Sequence, residues 1–384
     1  MKHAETASVN SDLYLGLISG TSMDGVDAVL VEIGAASFRT VGGLTHPYPQ
    51  HLKTRLHSAI APDARLSLHE IASLNVEVGE CFAQAGDLLL TTLKVAPAAV
   101  VAVGSHGQTL RHAPQAAQPY SIQIGSPAVI AARLGLTTVA DFRSMDIAYG
   151  GEGAPLVPAF HEWLLRKHGE NRVIANIGGI ANISLLPAQE SEPIVGYDTG
   201  PGNCLMDAWS KRHRGLDYDP NGQWAASGKV SRALLALLLD NDYYTAAPPK
   251  STGREVFNLA YLDAELARGS FANLAPADIQ ATLGELTVET LAREVQRSGQ
   301  NRSMKLFICG GGARNGHLMH GLATRLAPVE VAFTSALGLN PDLVEASAFA
   351  WLAHMRLRNQ PIRLTTSRAA RQVHLGAVYH PTLI

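Results

Sequence analysis

Two glycine-rich turns stand in corresponding places in the two halves of the chain. The first, GTSMDG, lies inside YLGLISGTSMDGVDAVLVEI (14–33), between an apolar strand and a β-branched one. The second lies inside VIANIGGIANISLL (173–186) and repeats the pattern of strand, Gly-Gly turn and strand. Glycine has no Cβ, so backbone N–H groups in such turns can approach an anion closely. In the first turn Gly20 and Gly25 flank Thr21, Ser22, Met23 and Asp24, whose hydroxyls and carboxylate suit phosphate oxygens and a hydrated Mg²⁺. One hairpin of this kind is weak, since most Gly-rich turns are only turns. Two of them half a chain apart suggest a duplicated fold that clamps a nucleotide between its halves.

Further polar clusters sit at strand ends. GYDTGPGN (196–203) carries Asp198 before a Gly-Pro-Gly turn; the carboxylate is a general base, a Mg²⁺ ligand or an Asx cap. GGGARN (310–315) follows a buried strand and opens a helix, which suits adenosine or phosphate on Gly310, Gly311, Gly312 and Asn315, or simply a tight turn. It is no dinucleotide fingerprint, because Asn315 stands where the third glycine belongs. A Walker A loop is missing as well. SHGQT (105–109) offers His106 either as a hydrogen-bond donor to a substrate or as a structural histidine, and STGRE (251–255) offers Arg254 to a phosphate or to a surface ion pair. Glu345 lies in LVEASAFAWLA, where a carboxylate is paired or functional. His106 and His112 have no zinc-ligand partners nearby, and neither a G-x-S-x-G elbow nor an H-E-x-x-H helix occurs.

Alternating strands and helices must hold these groups. After a flexible leader over 1–12, strand–turn–strand–strand is expected to about residue 45, then helices over 50–60 and 68–93. AAVVAVGSHGQTL (98–110) reads as a buried strand, and 121–142 as strand, short helix, strand. The Gly/Pro-rich segment 141–160 reads as a long functional loop at a domain boundary. Strands over 172–187 and 193–198 follow, with helices near 201–214, 230–241, 257–268 and 274–298. The last carries Ile279, Leu283, Leu286, Leu291 and Val295 as an apolar stripe, with exposed Glu and Arg between them. A strand over 305–312, a helix from about Asn315 and a helix over 341–357 complete an α/β protein with mixed sheets. Two domains are expected, 13–140 joined by the tail 358–384, and 141–357.

Composition narrows the classes. A chain of 384 residues, 46% hydrophobic and 17% charged, has the make-up of a globular α/β protein. A net charge of −2 with no Lys/Arg run argues against nucleic acid as a partner. Cys81, Cys204 and Cys309 are scattered in apolar stretches, as buried free thiols of a reducing compartment are. With no secretory h-region and no long apolar run, the expected location is the cytoplasm, away from membranes.

Taken together and in order, GTSMDGVD, SHGQT, DFRSMD…GGEGAPLVPAFH, NIGGIANIS, GYDTGPGN, KSTGRE and CGGGARN resemble the anhydro-N-acetylmuramic acid kinases over nearly the whole chain. The resemblance implies the two-domain actin-like ATPase fold, a duplicated ribonuclease H-like unit with an interdomain nucleotide cleft. It implies ATP and Mg²⁺ as co-reactants, 1,6-anhydro-N-acetylmuramic acid as substrate, N-acetylmuramic acid 6-phosphate as product, and a homodimer. It makes Asp198 the general base on an attacking water. Residues 20–27, with Val26 and Asp27 ending the run, would hold the ATP phosphates, and Asp24 would meet Mg²⁺. Gly178, Gly179 and Asn182 form the second phosphate loop, and 310–315 meets adenosine. His106, Arg143, Gly151, Gly153 and Glu345 face the sugar. Ser144 and Met145 replace two arginines of the family pattern, Glu152 replaces a glutamine, and TTSRAA (365–370) lacks a Val-Thr-Gly-Ala run. The rival readings are a kinase for a different sugar and a nucleotide-gated filament or binding protein.

Overall fold

The computed structural model describes the chain except residues 1–10, 21–22, 36, 62–63, 270, 272, 299–302, 365–370 and 383–384. Thr21, Ser22 and the TTSRAA run therefore lie outside the described residues. The strands are β1 (Asp12–Ser19), β2 (Gly25–Ile33), β3 (Phe38–Pro47), β4 (Val100–Ala113), β5 (Tyr120–Ile124), β6 (Thr138–Ala140) and β7 (Asn171–Ile177). They continue as β8 (Ile180–Leu186), β9 (Val195–Pro201), β10 (Met304–Cys309), β11 (Glu330–Phe333), β12 (Ile362–Leu364), β13 (Arg371–Val373) and β14 (Ala377–Tyr379). Asp12, placed in the leader by the sequence, opens β1 and pairs with Ile33.

Two sheets share one plan. In the first, β3, β2 and β1 run antiparallel in that order, and β4 and β6 follow parallel to β1. In the second, β9, β8 and β7 run antiparallel, and β10 and β11 follow parallel to β7. The first sheet adds β5 on β4 and β14 on β6, while β12 and β13 pair separately. The shared order and strand sense make this the duplicated, actin-like α/β fold. Both glycine-rich turns are the first hairpin of their sheet.

The chain divides into two compact units, 1–145 with 345–362 and 373–384, and 146–344 with 363–372. The helix Val344–Leu357 thus belongs from Glu345 onward to the first unit, where the sequence reading had put it in the second. Close packing explains the assignment. Gly16 and Gly104 are register partners on β1 and β4, and a Cβ on either would collide with a helix carbonyl, of Ala346 or Phe349 respectively. Side chains at these positions would hold the helix off the sheet. Gly104→Ala is expected to cost about 1–3 kcal/mol of stability, the usual penalty of overpacking, read as a lower urea midpoint at unchanged slope.

Each unit has its own core. In the first, Leu15, Leu17, Val26, Leu30, Phe82 and Val103 are buried between sheet and helices. The helix Leu68–Leu93 contributes Leu74, Val78 and Phe82 at helical spacing and starts at a capping box between Ser67 and Glu70. In the second, Ile279, Leu283, Leu286, Leu291 and Val295 of helix Pro276–Ser298 face Ile183, Leu205 and Leu306, as the stripe predicts. Cys81, Cys204 and Cys309 are all buried. Burial pushes the Cys81 thiol up to about 11 and the Cys204 thiol up to about 12, so both stay protonated and unreactive at neutral pH.

Candidate active site

Asp198 lies within β9, not at its end as the sequence suggests, and only 8% of its surface is exposed. In the sheet register Asn176 of β7 pairs with Asn182 of β8, and Asn182 with Asp198, so three polar residues form one row. A bulge separates the pairs Ala181–Gly200 and Asn182–Asp198, a local irregularity of the kind that re-aims side chains beside active sites. The segment 250–252 covers the open edge of β9. Asp198 N–H donates to the Lys250 carbonyl at 3.1 Å, and Thr252 N–H donates to Asp198 Oδ2 at 3.0 Å. The Tyr243 hydroxyl donates to the Asp198 carbonyl at 2.7 Å. Asp198 does not cap the helix that follows: Asn203 stands at the N-cap of Cys204–Arg214, and the carbonyls of Gly178 and Gly179 accept from Asn203 and Cys204 N–H.

Behind this strand lies an ionic network that the sequence reading missed. Lys250 Nζ donates to Glu294 Oε1 at 2.9 Å, with both side chains under a tenth exposed. Tyr197 Oη donates to Glu294 Oε2 at 3.0 Å, and Lys250 Nζ sits 4.9 Å from the centre of the Tyr243 ring. Glu294 is thus no exposed acid of its helix. A signal existed: Glu294 stands beside Leu291 and Val295 on the buried stripe, which demands a partner for its charge. Burial, and then the Asp198 charge, push the Tyr243 phenol upward, so it remains a donor.

The two glycine turns of the second unit do different jobs. The Gly178–Gly179 turn spends its carbonyls on the Cys204–Arg214 helix start. Of the three glycines after β10, Gly310 and Gly312 are tight against Asn176 and Ile177, whereas space is open at Gly311. Asn176 Oδ1 is buried and has no hydrogen-bond partner among the described residues. Asn315 caps helix Gly316–Leu326 by accepting from Leu318 N–H at 3.2 Å.

In the loop after Asp141, the buried Asp146 carboxylate accepts from Gly153 N–H at 2.7 Å and its carbonyl from Gly151 N–H at 2.9 Å. Gly151 and Gly153 are thereby shaped around one carboxylate. Ser251 Oγ donates to Glu152 Oε2 at 3.5 Å, and Met145 is exposed.

The first unit gathers another set. Gly20 is open, while Met23 and Val26 are buried. Gly25 is pressed against the His46 carbonyl of β3. Asp24 is exposed and its Oδ1 accepts from Lys53 Nζ at 2.8 Å; Asp27 accepts from Thr45 Oγ1 at 2.5 Å. Ser19 and Gln108, at the ends of β1 and in β4, join at 2.6 Å. Arg143 donates to His106 Nε2 at 3.0 and 2.9 Å, and His106 Nδ1 faces the Gly107 carbonyl at 3.0 Å. An imidazole with Nε2 accepting and Nδ1–H donating has no proton left for a substrate, so His106 orients Arg143 instead. Burial and the Arg143 charge hold it neutral, well below the usual histidine range. Burial, then the Asp27 charge, push Glu345 up, opposed by Arg143. His106, Arg143, Asp27 and Glu345 therefore form one electrostatic group, with Asp198 in the other unit.

Buried histidines give a pH signature. Burial lowers His161 to about 3 and His112 to about 4, below the unfolded value near 6.5. The unfolded chain takes up these protons first on acidification, so stability falls as pH drops below about 6.5. Each such histidine contributes a slope of about 1.4 kcal/mol per pH unit. His161→Asn is expected to remove one proton's slope between pH 4 and 6 in urea midpoints; an unchanged slope would contradict its neutral burial.

Among the described residues no group of three or more His, Cys, Asp or Glu could hold a metal ion, and no helix is long and apolar enough to cross a membrane. The family model described as anhydro-N-acetylmuramic acid kinase matches residues 12–381. An anhydro-N-acetylmuramic acid kinase of Coxiella burnetii is 47% identical over 370 residues, 95% of this chain and 97% of the relative. Those of Shewanella oneidensis and Saccharophagus degradans are 46% and 45% identical, over 96% of this chain and 98% and 99% of theirs.

Proposed function

The chain belongs to the anhydro-N-acetylmuramic acid kinase family and is a kinase of that anhydro sugar, and from that premise we propose that Asp198 is its general base. The observation that carries the assignment is a buried carboxylate held by Thr252 N–H inside the GYDTGPGN strand. The substrate's O6 is locked in an internal acetal, so no free hydroxyl awaits phosphorylation. Water attacks the anomeric carbon and gives its proton to the Asp198 carboxylate. The C1–O6 bond breaks, O6 bonds to the γ-phosphorus of ATP, and the bond from that phosphorus to ADP breaks. The product is N-acetylmuramic acid 6-phosphate.

ATP phosphates are assigned to the first hairpin, with Gly20, Gly25 and the backbone to Asp27, and to Gly178, Gly179 and Asn182. Adenosine is assigned to the turn at Gly311, where space is open. Mg²⁺ with phosphates needs only one or two protein carboxylates. Asp24 fits that demand as an exposed side chain with one oxygen engaged by Lys53. Bound there, Mg²⁺ would neutralise phosphate charge. Arg143, oriented by His106, and Glu345 are assigned to the sugar.

Incubation with Mg-ATP and the anhydro sugar in ¹⁸O-water tests the reaction. The expected product is a 6-phosphate with one heavy oxygen at the anomeric carbon, read before ring-opening exchange. Heavy oxygen in released inorganic phosphate, with no phosphosugar, would overturn it.

A further inference from the structure

The turn between Asp198 and the second glycine hairpin carries an arginine that has no counter-ion among the described residues. Segment 250–257 is fixed at one end by Asp198, through Lys250 and Thr252. It is fixed at the other by Cys204, whose thiol donates to the Phe257 carbonyl at 3.6 Å. Between these anchors it closes on itself, with Val256 and Phe257 N–H both donating to the Gly253 carbonyl at 3.1 Å. Cys204 N–H in turn meets the Gly179 carbonyl at 3.0 Å, so the turn, the glycine hairpin and Asp198 are tied by main-chain bonds together with the Cys204 thiol and the Asp198 carboxylate.

Arg254 lies inside this turn and is partly buried. Its Nε is shielded from solvent with no acceptor, and among the described residues its guanidinium forms no hydrogen bond or ion pair. Surface arginines of the same unit behave differently: Arg212 pairs with Asp263, and Arg314 with Asp342. A buried N–H lacking an acceptor is costly, and a buried charge without a partner more so. The Arg254 charge is felt at Cys204, where it opposes the upward push of burial on the thiol.

We propose that Arg254 is a catalytic residue that binds the phosphoryl group in flight. A guanidinium fork matches two phosphoryl oxygens at once and gains strength as charge builds on them. The proposal rests on the kinase reaction set out above, with the Gly178–Gly179 hairpin as a phosphate loop. Arg254 is chosen over the sugar's carboxylate as its target because its turn is tied to that hairpin through Cys204.

The test compares wild type, Arg254→Met, Arg254→Ala and Asp198→Asn in steady state, varying ATP and the anhydro sugar separately. Arg254→Met is expected to lower kcat by about 10²–10³-fold, the usual loss of one transition-state donor, with KM for the sugar within about twofold. Added methylguanidinium is expected to restore part of the Arg254→Ala rate, a rescue that a folding defect would not allow. A raised sugar KM at unchanged kcat would overturn the proposal in favour of carboxylate binding. Full activity of Arg254→Met, or a loss that methylguanidinium leaves untouched, would overturn it as well. Asp198→Asn separates the two readings: near-normal turnover there, with Arg254→Met impaired and rescued, removes the base and keeps the arginine.

Discussion

Asp198→Asn is expected to lower kcat by about 10²–10⁴-fold, the typical worth of a general base, while leaving the Kd for ATP within about twofold. The substitution is close to isosteric, and an amide oxygen can still accept from Thr252 N–H. The bonds to Lys250 and Tyr243 use the Asp198 main chain and do not depend on the carboxylate. What the amide loses is the ability to take a proton from water. Turnover by rapid-quench kinetics and ATP affinity by calorimetry give the two numbers. A variant keeping more than about a tenth of the wild-type rate would remove Asp198 as the base. A large loss of ATP affinity would instead make the carboxylate part of nucleotide binding.

Most of the framework is legible from residue order alone, because it rests on local signals. Hairpins at residues 20–25 and 178–179 stand between runs of alternating or continuous apolar residues, and both form the first hairpin of a sheet. Helix Pro276–Ser298 follows from its stripe, and Leu68–Leu93 from periodicity alone, though its Ser67–Glu70 box is just as local. Illegible features depend on distant pairs. Lys250 and Glu294 are 44 residues apart, and Arg143 and His106 are 37 apart. No spacing rule relates such positions. The helix over 345–357 went to the wrong unit because its partner surface, Gly16 and Gly104, is made of residues that leave no side chain to read. Of the glycines at 310–312, two answer to packing against β7 and one faces open space, so the motif is in part the tight turn that its sequence also allows.

Lys250→Met is expected to destabilise the protein by about 3–5 kcal/mol, since it strands the Glu294 carboxylate among buried groups. Tyr197 still donates to that carboxylate, and Arg297 lies 3.6 Å away, but neither replaces the buried ammonium. Glu294→Gln leaves Lys250 as the buried charge, with the Tyr243 and Tyr244 carbonyls as its remaining acceptors. Combining Lys250→Met with Glu294→Leu removes both charges and is expected to recover much of the loss, because a paired buried charge adds little over apolar packing. The coupling read from the four proteins by urea denaturation should exceed about 1 kcal/mol. Additive single losses would mean that the two side chains do not interact in solution. The same cycle run on kcat tells whether the pair also serves the reaction. Lys250 holds Asp198 through its carbonyl, so a folded Lys250→Met protein keeps that bond. A rate that recovers with stability in the double variant makes the pair a scaffold for β9 and 250–252, whereas a rate that stays low makes the ammonium, through the Tyr243 ring and hydroxyl, part of what holds the base in place.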